Sequence, residues 1–207
     1  MRLRLAKDPF DHPDYIFELK HDGFRAIAYI DRGDCRLVSR NLKALPFKAL
    51  RASLAAMSVT DNAILDGEII VLDNSGVSRF NSLLSRKGED AAVFYAFDLI
   101  WINGTDLRES PLVERKERLR ELVRKSRCQR LLFAQHIDGA GKQFFEHVCA
   151  RDLEGIVAKR KMGFYKDDGN AWLKIKKPSY SQAEGRHELL TRKRRTAAAE
   201  KPGRLRM

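Results

Sequence analysis

The feature that most restricts the fold is a run of short apolar segments near the N-terminus, separated by only a few residues. Residues 15–19, 25–30 and 35–39 each have the composition of a β-strand, and Asp22-Gly23 between the first two is typical of a turn. Connections this short leave no room for a crossover helix, so the three strands are predicted to pair antiparallel.

The rest of the chain mixes strand and helix patterns without a regular βαβ alternation. The clearest helix is predicted at residues 111–126, with Ser110 as N-cap and Pro111 at the first helical position. Further segments are predicted as helices at 47–57, 79–84 and 142–151, and as strands at 63–72 (a pair broken at Asp66-Gly67), 93–102, 131–135, 155–159 and 172–177. These elements predict an α+β domain built on antiparallel sheets.

The charge of the chain points to a polyanionic partner. There are 40 Lys and Arg against 28 Asp and Glu in 207 residues, a formal net charge of +12. Eight basic and two acidic side chains lie within residues 185–207, so half of the net charge is in the C-terminal tail. Basic side chains that neutralise phosphates provide sequence-independent affinity for nucleic acid, although a basic tail can also serve solubility alone.

Several classes of protein are excluded. The most apolar stretch, residues 91–102, is too short to span a membrane and contains Asp98. The N-terminus lacks the apolar run of a secretory signal, so a cytoplasmic location is expected. Cys35, Cys128 and Cys149 are odd in number and far apart, which favours reduced thiols over disulfides or a zinc site.

The sequence Lys20-His21-Asp22-Gly23 follows a predicted strand, where a rigid scaffold can present a lysine to a cleft. Taken alone, it also fits an ordinary turn after a surface lysine. Further polar side chains end or interrupt apolar strands, within residues 39–41, 65–70, 95–100, 153–159 and 172–176. Placing several charged groups in apolar strands is unfavourable unless they are paired, which indicates a shared ligand or metal.

These ordered motifs resemble the adenylation domain of ATP-dependent DNA ligases, most closely the ligase domains of bacterial end-joining ligases. The resemblance extends over residues 18–177, and residues 97–119 are more similar to DNA ligases than to RNA ligases or mRNA capping enzymes. It implies an ATP-grasp-like nucleotidyltransferase fold of antiparallel sheets flanked by helices, with the nucleotide cleft between the sheets. It also implies ATP as substrate and DNA as partner.

The resemblance implies that Lys20 attacks the α-phosphate of ATP to form lysyl-AMP. A free lysine, with a pKa of about 10.4, is protonated at neutral pH, so neighbouring cations, a metal ion and partial burial are expected to lower that pKa. Lys174 and Lys176 occupy alternate positions of one strand and therefore share a face, where the resemblance places them near the α-phosphate. A solvated strand face is the alternative for these two lysines.

Glu68 and Glu154 match the two acidic motif residues of the family, with Glu68 near the ribose and the metal and Glu154 at the metal. Mg²⁺, or Mn²⁺, suits such carboxylates because it bridges them to phosphates. The resemblance gives Asp22 the role of orienting Lys20 or a metal-bound water.

The remaining positions implied by the resemblance surround the nucleotide. Glu18 accepts a hydrogen bond from the adenine amino group, Phe97 stacks on adenine, and Arg25 and Arg40 contact the sugar or a DNA 5′-phosphate. Taken alone, Glu18 and Arg25 also fit a cross-strand ion pair, and Phe97 fits a core residue. No catalytic role is expected for His21.

The chain departs from the family after Lys177. Only 30 residues follow, too few for the five strands of an OB-fold, so we expect an adenylation domain at residues 1–180 and a basic, largely disordered tail at 181–207, with at most a short basic helix. A monomer is expected, with duplex clamping left to the tail or to a repair partner. The alternatives are a non-catalytic DNA-binding accessory protein and an RNA ligase.

Overall fold

The computed structural model describes residues 1–166 and 172–181 and arranges the strands in two sheets. The first sheet contains β1 (Arg4–Leu5), β2 (Tyr15–Leu19), β9 (His136–Asp138), β10 (Gly155–Arg160) and β11 (Trp172–Lys176). The second contains β3 (Phe24–Asp31), β4 (Asp34–Ser39), β5 (Asn62–Ile70), β6 (Val93–Ile102), β7 (Thr105–Asp106) and β8 (Leu131–Phe133). The helices are α1 (Lys48–Ala55), α2 (Phe80–Leu83), α3 (Arg86–Ala91), α4 (Leu112–Ser126) and α5 (Gly141–Ala150).

The first sheet has the strand order β1-β11-β10-β2-β9 and separates an apolar face from a polar one. Phe17 and Ile156 pack against Val148 of α5 on the apolar face. Glu18 and Val157, which are partners in the register of β2 and β10, lie on the opposite face, because side chains alternate along a strand. That polar face looks toward the second sheet.

The second sheet has the order β4-β3-β5-β6-β7, with β8 beside β6. Leu65 of β5 is buried in one apolar core with Leu54 of α1, Leu83 of α2 and Leu119 of α4. Helices therefore cover one face of each sheet, and the uncovered faces form the walls of a cleft. This is the predicted α+β arrangement, with the difference that β1–β11 and β6–β8 pair in parallel.

The predicted hairpin at Asp22-Gly23 is wrong. β2 pairs with β9 and β10, whereas β3 pairs with β4 and β5, so the segment between β2 and β3 carries the chain from one sheet to the other. The Lys20 N–H donates to the Gly155 carbonyl at 2.9 Å, which fixes the start of this segment against β10. Short spacing limited the connection but did not determine the pairing partners, which come from distant parts of the chain.

Two further local predictions need correction. Residues 62–70 form one strand rather than a strand pair, and the break expected at Asp66-Gly67 is a register shift against β6. Helix α4 begins at Leu112 with Pro111 at the cap position, and no side chain caps it. The Ser110 carbonyl instead accepts a 2.6 Å hydrogen bond from Arg115 of the same helix.

The remaining sequence-based expectations concern the cysteines, a membrane-spanning helix and the C-terminal tail. Cys35, Cys128 and Cys149 are all free thiols. No helix within the described residues is long and apolar enough to cross a membrane. The predicted disordered tail and its short basic helix fall almost entirely within residues 182–207, outside the described residues.

Candidate active site

A pocket that is partly open to solvent lies between the two sheets. The first sheet and the residues that follow β2 contribute a wall with several charged side chains. The second sheet contributes a wall of charged and aromatic side chains. The sequence-predicted residues that line the pocket are Glu18, Lys20, Arg25, Glu68 and Phe97. Residues more than 75 positions apart in the chain are thus brought into one concave site, the usual setting for ligand binding.

Lys20 is held at the pocket by a carboxylate. Its Nζ donates a 2.6 Å hydrogen bond to Oε2 of Glu154, the residue that precedes β10. The other oxygen of Glu154 lies 3.4 Å from Nζ of Lys176. The Lys20 side chain is 20% exposed and that of Glu154 only 5%. Glu154 therefore bridges two lysines, and Lys20 must leave this ion pair before its lone pair can attack an electrophile.

Glu68 enters the same pocket from β5. Burial raises the pKa of Glu68 to about 8; the neighbouring Glu154 carboxylate acts in the same direction, and Lys20 and Arg25 oppose it. A divalent cation relieves this kind of carboxylate crowding.

A metal would have few protein ligands here. The described residues contain no group of three or more Asp, Glu, His or Cys suited to hold one. Mg²⁺ at nucleotide sites commonly takes one or two carboxylates and completes its coordination with phosphate and water. Glu68 and Glu154 therefore fit a divalent cation shared with a bound phosphate.

Glu18 lies deeper in the pocket between two buried lysines. Lys116 of α4 donates a hydrogen bond to its Oε1, and Nζ of Lys159 lies 2.6 Å from its Oε2. Burial by itself raises the pKa of Glu18, but the two ammonium groups outweigh burial and bring the pKa below its ordinary value. The carboxylate is thus ionised at neutral pH.

Arg25 pairs with Asp66 rather than with Glu18. Its Nη2 and Nε donate to the fully buried Asp66 carboxylate at 2.6 and 3.1 Å, and the hydroxyl of Tyr165 donates to the same carboxylate at 2.8 Å. The cross-strand Glu18–Arg25 pair considered from the sequence is therefore wrong. Arg25 borders the pocket with most of its donors already used.

Aromatic rings form the apolar part of the pocket. Phe97 and Trp172 meet edge to face with centroids 5.6 Å apart, and the Lys159 ammonium lies 4.4 and 4.0 Å from their centroids. Phe97 is thus a wall residue rather than a core residue. On the far side, the His21 ring lies 4.2 Å from that of Tyr95, and burial together with Lys20 lowers the pKa of His21 to about 4, leaving it neutral.

Some predicted site residues do not reach the pocket. Arg40 is exposed in the turn after β4, at the end of the second sheet where Ser39 pairs with Ala26. Lys174 lies on the cleft side of β11 as the register partner of Val157, but it does not line the pocket. Asp22 is 4% exposed in the segment between β2 and β3 and is not a lining residue.

The sequence interpretation gave no role to Lys116, Lys159 or Trp172. The position of Lys116 carries a recognisable pattern, because it falls at helical spacing between Leu112 and Leu119 on the apolar face of α4. A lysine at such a position requires a buried partner. The identity of that partner, 98 residues away, depends on how α4 packs across the two sheets.

The fold is that of the nucleotidyltransferase domain of ATP-dependent ligases. A solved structure described as mycobacterial DNA ligase D complexed with ATP and MES superposes with a TM-score of 0.73 at 27% identity, over 84% of this chain and 59% of that one. The ligase of bacteriophage T7 in complex with ATP shares the fold at a TM-score of 0.56 and 18% identity.

The family model for the ATP dependent DNA ligase domain matches residues 5–176, and the chain belongs to this family. The multifunctional non-homologous end joining protein LigD of Mycolicibacterium smegmatis is 32% identical over 169 residues, 78% of this chain but 21% of LigD. The SPbeta prophage-derived DNA ligase-like protein LigB of Bacillus subtilis is 29% identical over 188 residues, 88% of this chain and 68% of LigB. The chain spans about a fifth of the length of the LigD relatives.

Proposed function

We propose that this protein is an ATP-dependent nucleotidyltransferase that forms lysyl-AMP on Lys20 and transfers the AMP to a DNA 5′-phosphate at a nick or break during repair. The membership in the ligase family supports the reaction class. The similarity to LigD, a multifunctional non-homologous end joining protein, supports DNA breaks as the substrate class. A partner protein in end joining, acting in trans on the duplex, belongs to the same proposal.

The observation that carries the proposal is that Lys20 lines one pocket with Glu68 and is held there by Glu154. Lys20 and Glu154 are separated by 134 residues and still make a 2.6 Å contact. A buried carboxylate that holds a lysine beside an aromatic-walled pocket meets the geometric requirement for a nucleophile with a polar partner. An ordinary surface lysine needs none of these features.

The proposed reaction has two steps. Nζ of Lys20, once deprotonated, attacks the α-phosphorus of ATP, so that a P–N bond forms and the P–O bond to the β-phosphate breaks with release of pyrophosphate. A DNA 5′-phosphate oxygen then displaces the lysine and takes the AMP. Lys174 and Lys176, from the cleft side of β11, offset negative charge on the phosphates during both steps.

Glu68 and Glu154 hold the divalent metal, Mg²⁺ or Mn²⁺, in this proposal. The cation neutralises charge on the phosphate oxygens. Glu154, which holds Lys20 in an ion pair, would release its Nζ on coordinating a cation, and Lys20 would then be free to act as the nucleophile. Asp22, buried in the segment directly after Lys20, would orient Lys20 or a metal-bound water. Glu18 and Phe97 provide the polar and the stacking contacts to the adenine, Arg25 at the pocket contacts the sugar, and Arg40, exposed outside the pocket, contacts the DNA 5′-phosphate.

The test is the intact mass of the protein after incubation with ATP and Mg²⁺. We expect a mass increase of one AMP on the wild type and none on Lys20→Ala. Lys142→Ala is the matched control, because Lys142 is an exposed lysine at the start of α5. Absence of the adduct on the wild type with Mg²⁺ and with Mn²⁺ contradicts the proposal. An adduct that transfers to a 5′-phosphorylated RNA end but not to DNA supports an RNA ligase instead.

A further inference from the structure

A buried lysine from outside both sheets reaches the base of the pocket. Lys116, in the second turn of α4, is 2% exposed and donates to Glu18 Oε1 and, at 2.9 Å, to the carbonyl of Ala134. Its ammonium also lies 4.5 Å from the centroid of the Phe133 ring. These two hydrogen bonds and the cation–π contact fix the position of the Lys116 ammonium. Through the ammonium they also fix the position of the Glu18 carboxylate.

If the Lys116–Glu18 ion pair served only to join helix α4 to the first sheet, Glu18 would not need to lie at the pocket. Glu18 is itself one of the residues that line the pocket, together with Phe97 and Trp172. Its two oxygens are held from two directions, by Lys116 of α4 and Lys159 of β10. An ionised carboxylate has about four acceptor positions, so lone pairs remain for a ligand. The lysines therefore fix the carboxylate without using all of its acceptors.

The protonation state of Glu18 decides what such a group can recognise. Lys116 and Lys159 keep it ionised, while His136 from β9 and Tyr95 from β6 are the other titratable groups beside it. An ionised carboxylate only accepts hydrogen bonds, whereas a protonated one can also donate. Its ligand must therefore present a donor.

We propose that Lys116 is a specificity-determining positioning residue, which holds Glu18 as a fixed acceptor and thereby makes the pocket select a purine with an amino group at C6. This inference rests on the proposed function, because that function places the base of ATP in the pocket. Adenine presents an amino donor at C6, and guanine presents a carbonyl oxygen that repels an ionised carboxylate. Without Lys116, Glu18 protonates or turns away more readily, and the discrimination between the two bases falls.

The experiment compares covalent adduct formation from ATP and from GTP on the full chain. Initial rates are measured by intact mass over a range of nucleotide concentrations for wild type, Lys116→Met and Lys116→Arg. For Lys116→Met we expect the ATP-to-GTP rate ratio to fall about tenfold or more, mainly through a higher half-saturating concentration of ATP. Lys116→Arg, which restores a cation, is expected to recover most of the ratio.

Arg120→Met provides the matched control. Arg120 lies one turn further along α4, is 48% exposed and contacts the same Phe133 ring at 5.0 Å, but it pairs with Glu117. We expect its ratio to equal that of the wild type. Lys116→Gln, which is uncharged but keeps a polar end, replaces Lys116→Met if the latter does not fold.

An equal loss of rate with both nucleotides in Lys116→Met or Lys116→Gln, leaving the ratio within about twofold of the wild type, overturns the inference and leaves Lys116 as a structural brace. Failure of the proposed function is distinguishable, because it appears as no adduct on the wild type. In that case, equilibrium binding of ATP and GTP to the same variants still tests the selectivity. A ratio of dissociation constants that does not change on substitution of Lys116 overturns the inference as well.

Discussion

The contact between Lys20 and Glu154 sets the chemistry at the scale of single residues. The Glu154 carboxylate accepts a 2.6 Å hydrogen bond from Nζ of Lys20 and so occupies the atom that has to attack. The same carboxylate fits a divalent cation. Under the proposed function, Glu154 would exchange its contact with Lys20 for one with the metal when metal and nucleotide bind.

Glu154→Ala is therefore expected to reduce adduct formation about a hundredfold or more, while the protein stays folded. Lys20 loses its partner but is 20% exposed and can be solvated, so the loss of stability is moderate. Adduct formation by mass and thermal unfolding measure the two effects separately. The control is Glu121→Ala, which removes an exposed carboxylate paired with Lys125 on α4. Wild-type rates in Glu154→Ala would exclude Glu154 from the chemistry.

Some features of the candidate site could be predicted from neighbouring residues in the sequence, and others depend on residues far apart in the chain. Glu18 and Lys20 could be placed on one side of the chain because side chains alternate along a strand, and both line the pocket although Lys20 lies one residue beyond the end of β2. The pairs Lys20–Glu154, Glu18–Lys116 and Arg25–Asp66 could not be predicted, because each joins residues at least 41 positions apart through packing between elements. The roles assigned to these residues remain predictions.

At the scale of elements, the segment between β2 and β3 decides where Lys20 sits. It crosses from one sheet to the other, and Gly23 at its end packs tightly against β5. A Cβ on Gly23 would lie 2.2 Å from the carbonyl oxygen of Ile69 and 2.8 Å from a methyl of Ile70. Glycine is required here by the close approach of two backbones.

Gly23→Ala is expected to destabilise the protein by about 1–3 kcal/mol and to slow adduct formation, because the crossing segment must shift together with Lys20. Urea unfolding and the adduct rate measure the two effects. Gly76→Ala is the control: Gly76 has φ 75°, and a Cβ there meets nothing within 4 Å, so only backbone strain of about 1 kcal/mol is added, far from the pocket. Wild-type stability and rate in Gly23→Ala would contradict this account.

The elements themselves were mostly predictable, and the sheets were not. Apolar periodicity located α4, α5 and β6 to within a residue or two, because it depends on local burial. Pairing depends on partners far along the chain, as β2 with β10 shows, and no short-range pattern encodes it. The parallel pairs β1–β11 and β6–β8 were missed for the same reason.

At the scale of the whole molecule, α4 links the two sheets at the pocket. Arg115 makes two hydrogen bonds, at 2.7 and 2.8 Å, to the fully buried Asp98 of the second sheet, and Lys116 reaches Glu18 of the first. Arg115 also donates to the carbonyl of Gly163, which follows β10. Adjacent residues on one helix thus tie together the two walls of the cleft.

The charge distribution of the whole chain predicts how DNA binding depends on salt. Residues 192–207 contain seven basic side chains and one acidic side chain, a large share of the net charge of +12. Deleting them is expected to weaken binding to a nicked duplex and to make the plot of log binding constant against log salt less steep, by up to about 6, since each neutralised phosphate contributes roughly 0.9. Replacing the same basic residues with glutamine keeps the length of the chain and should have the same effect if charge is the cause. Equal slopes for the intact and shortened chains would show that the phosphate contacts are made by the adenylation domain alone.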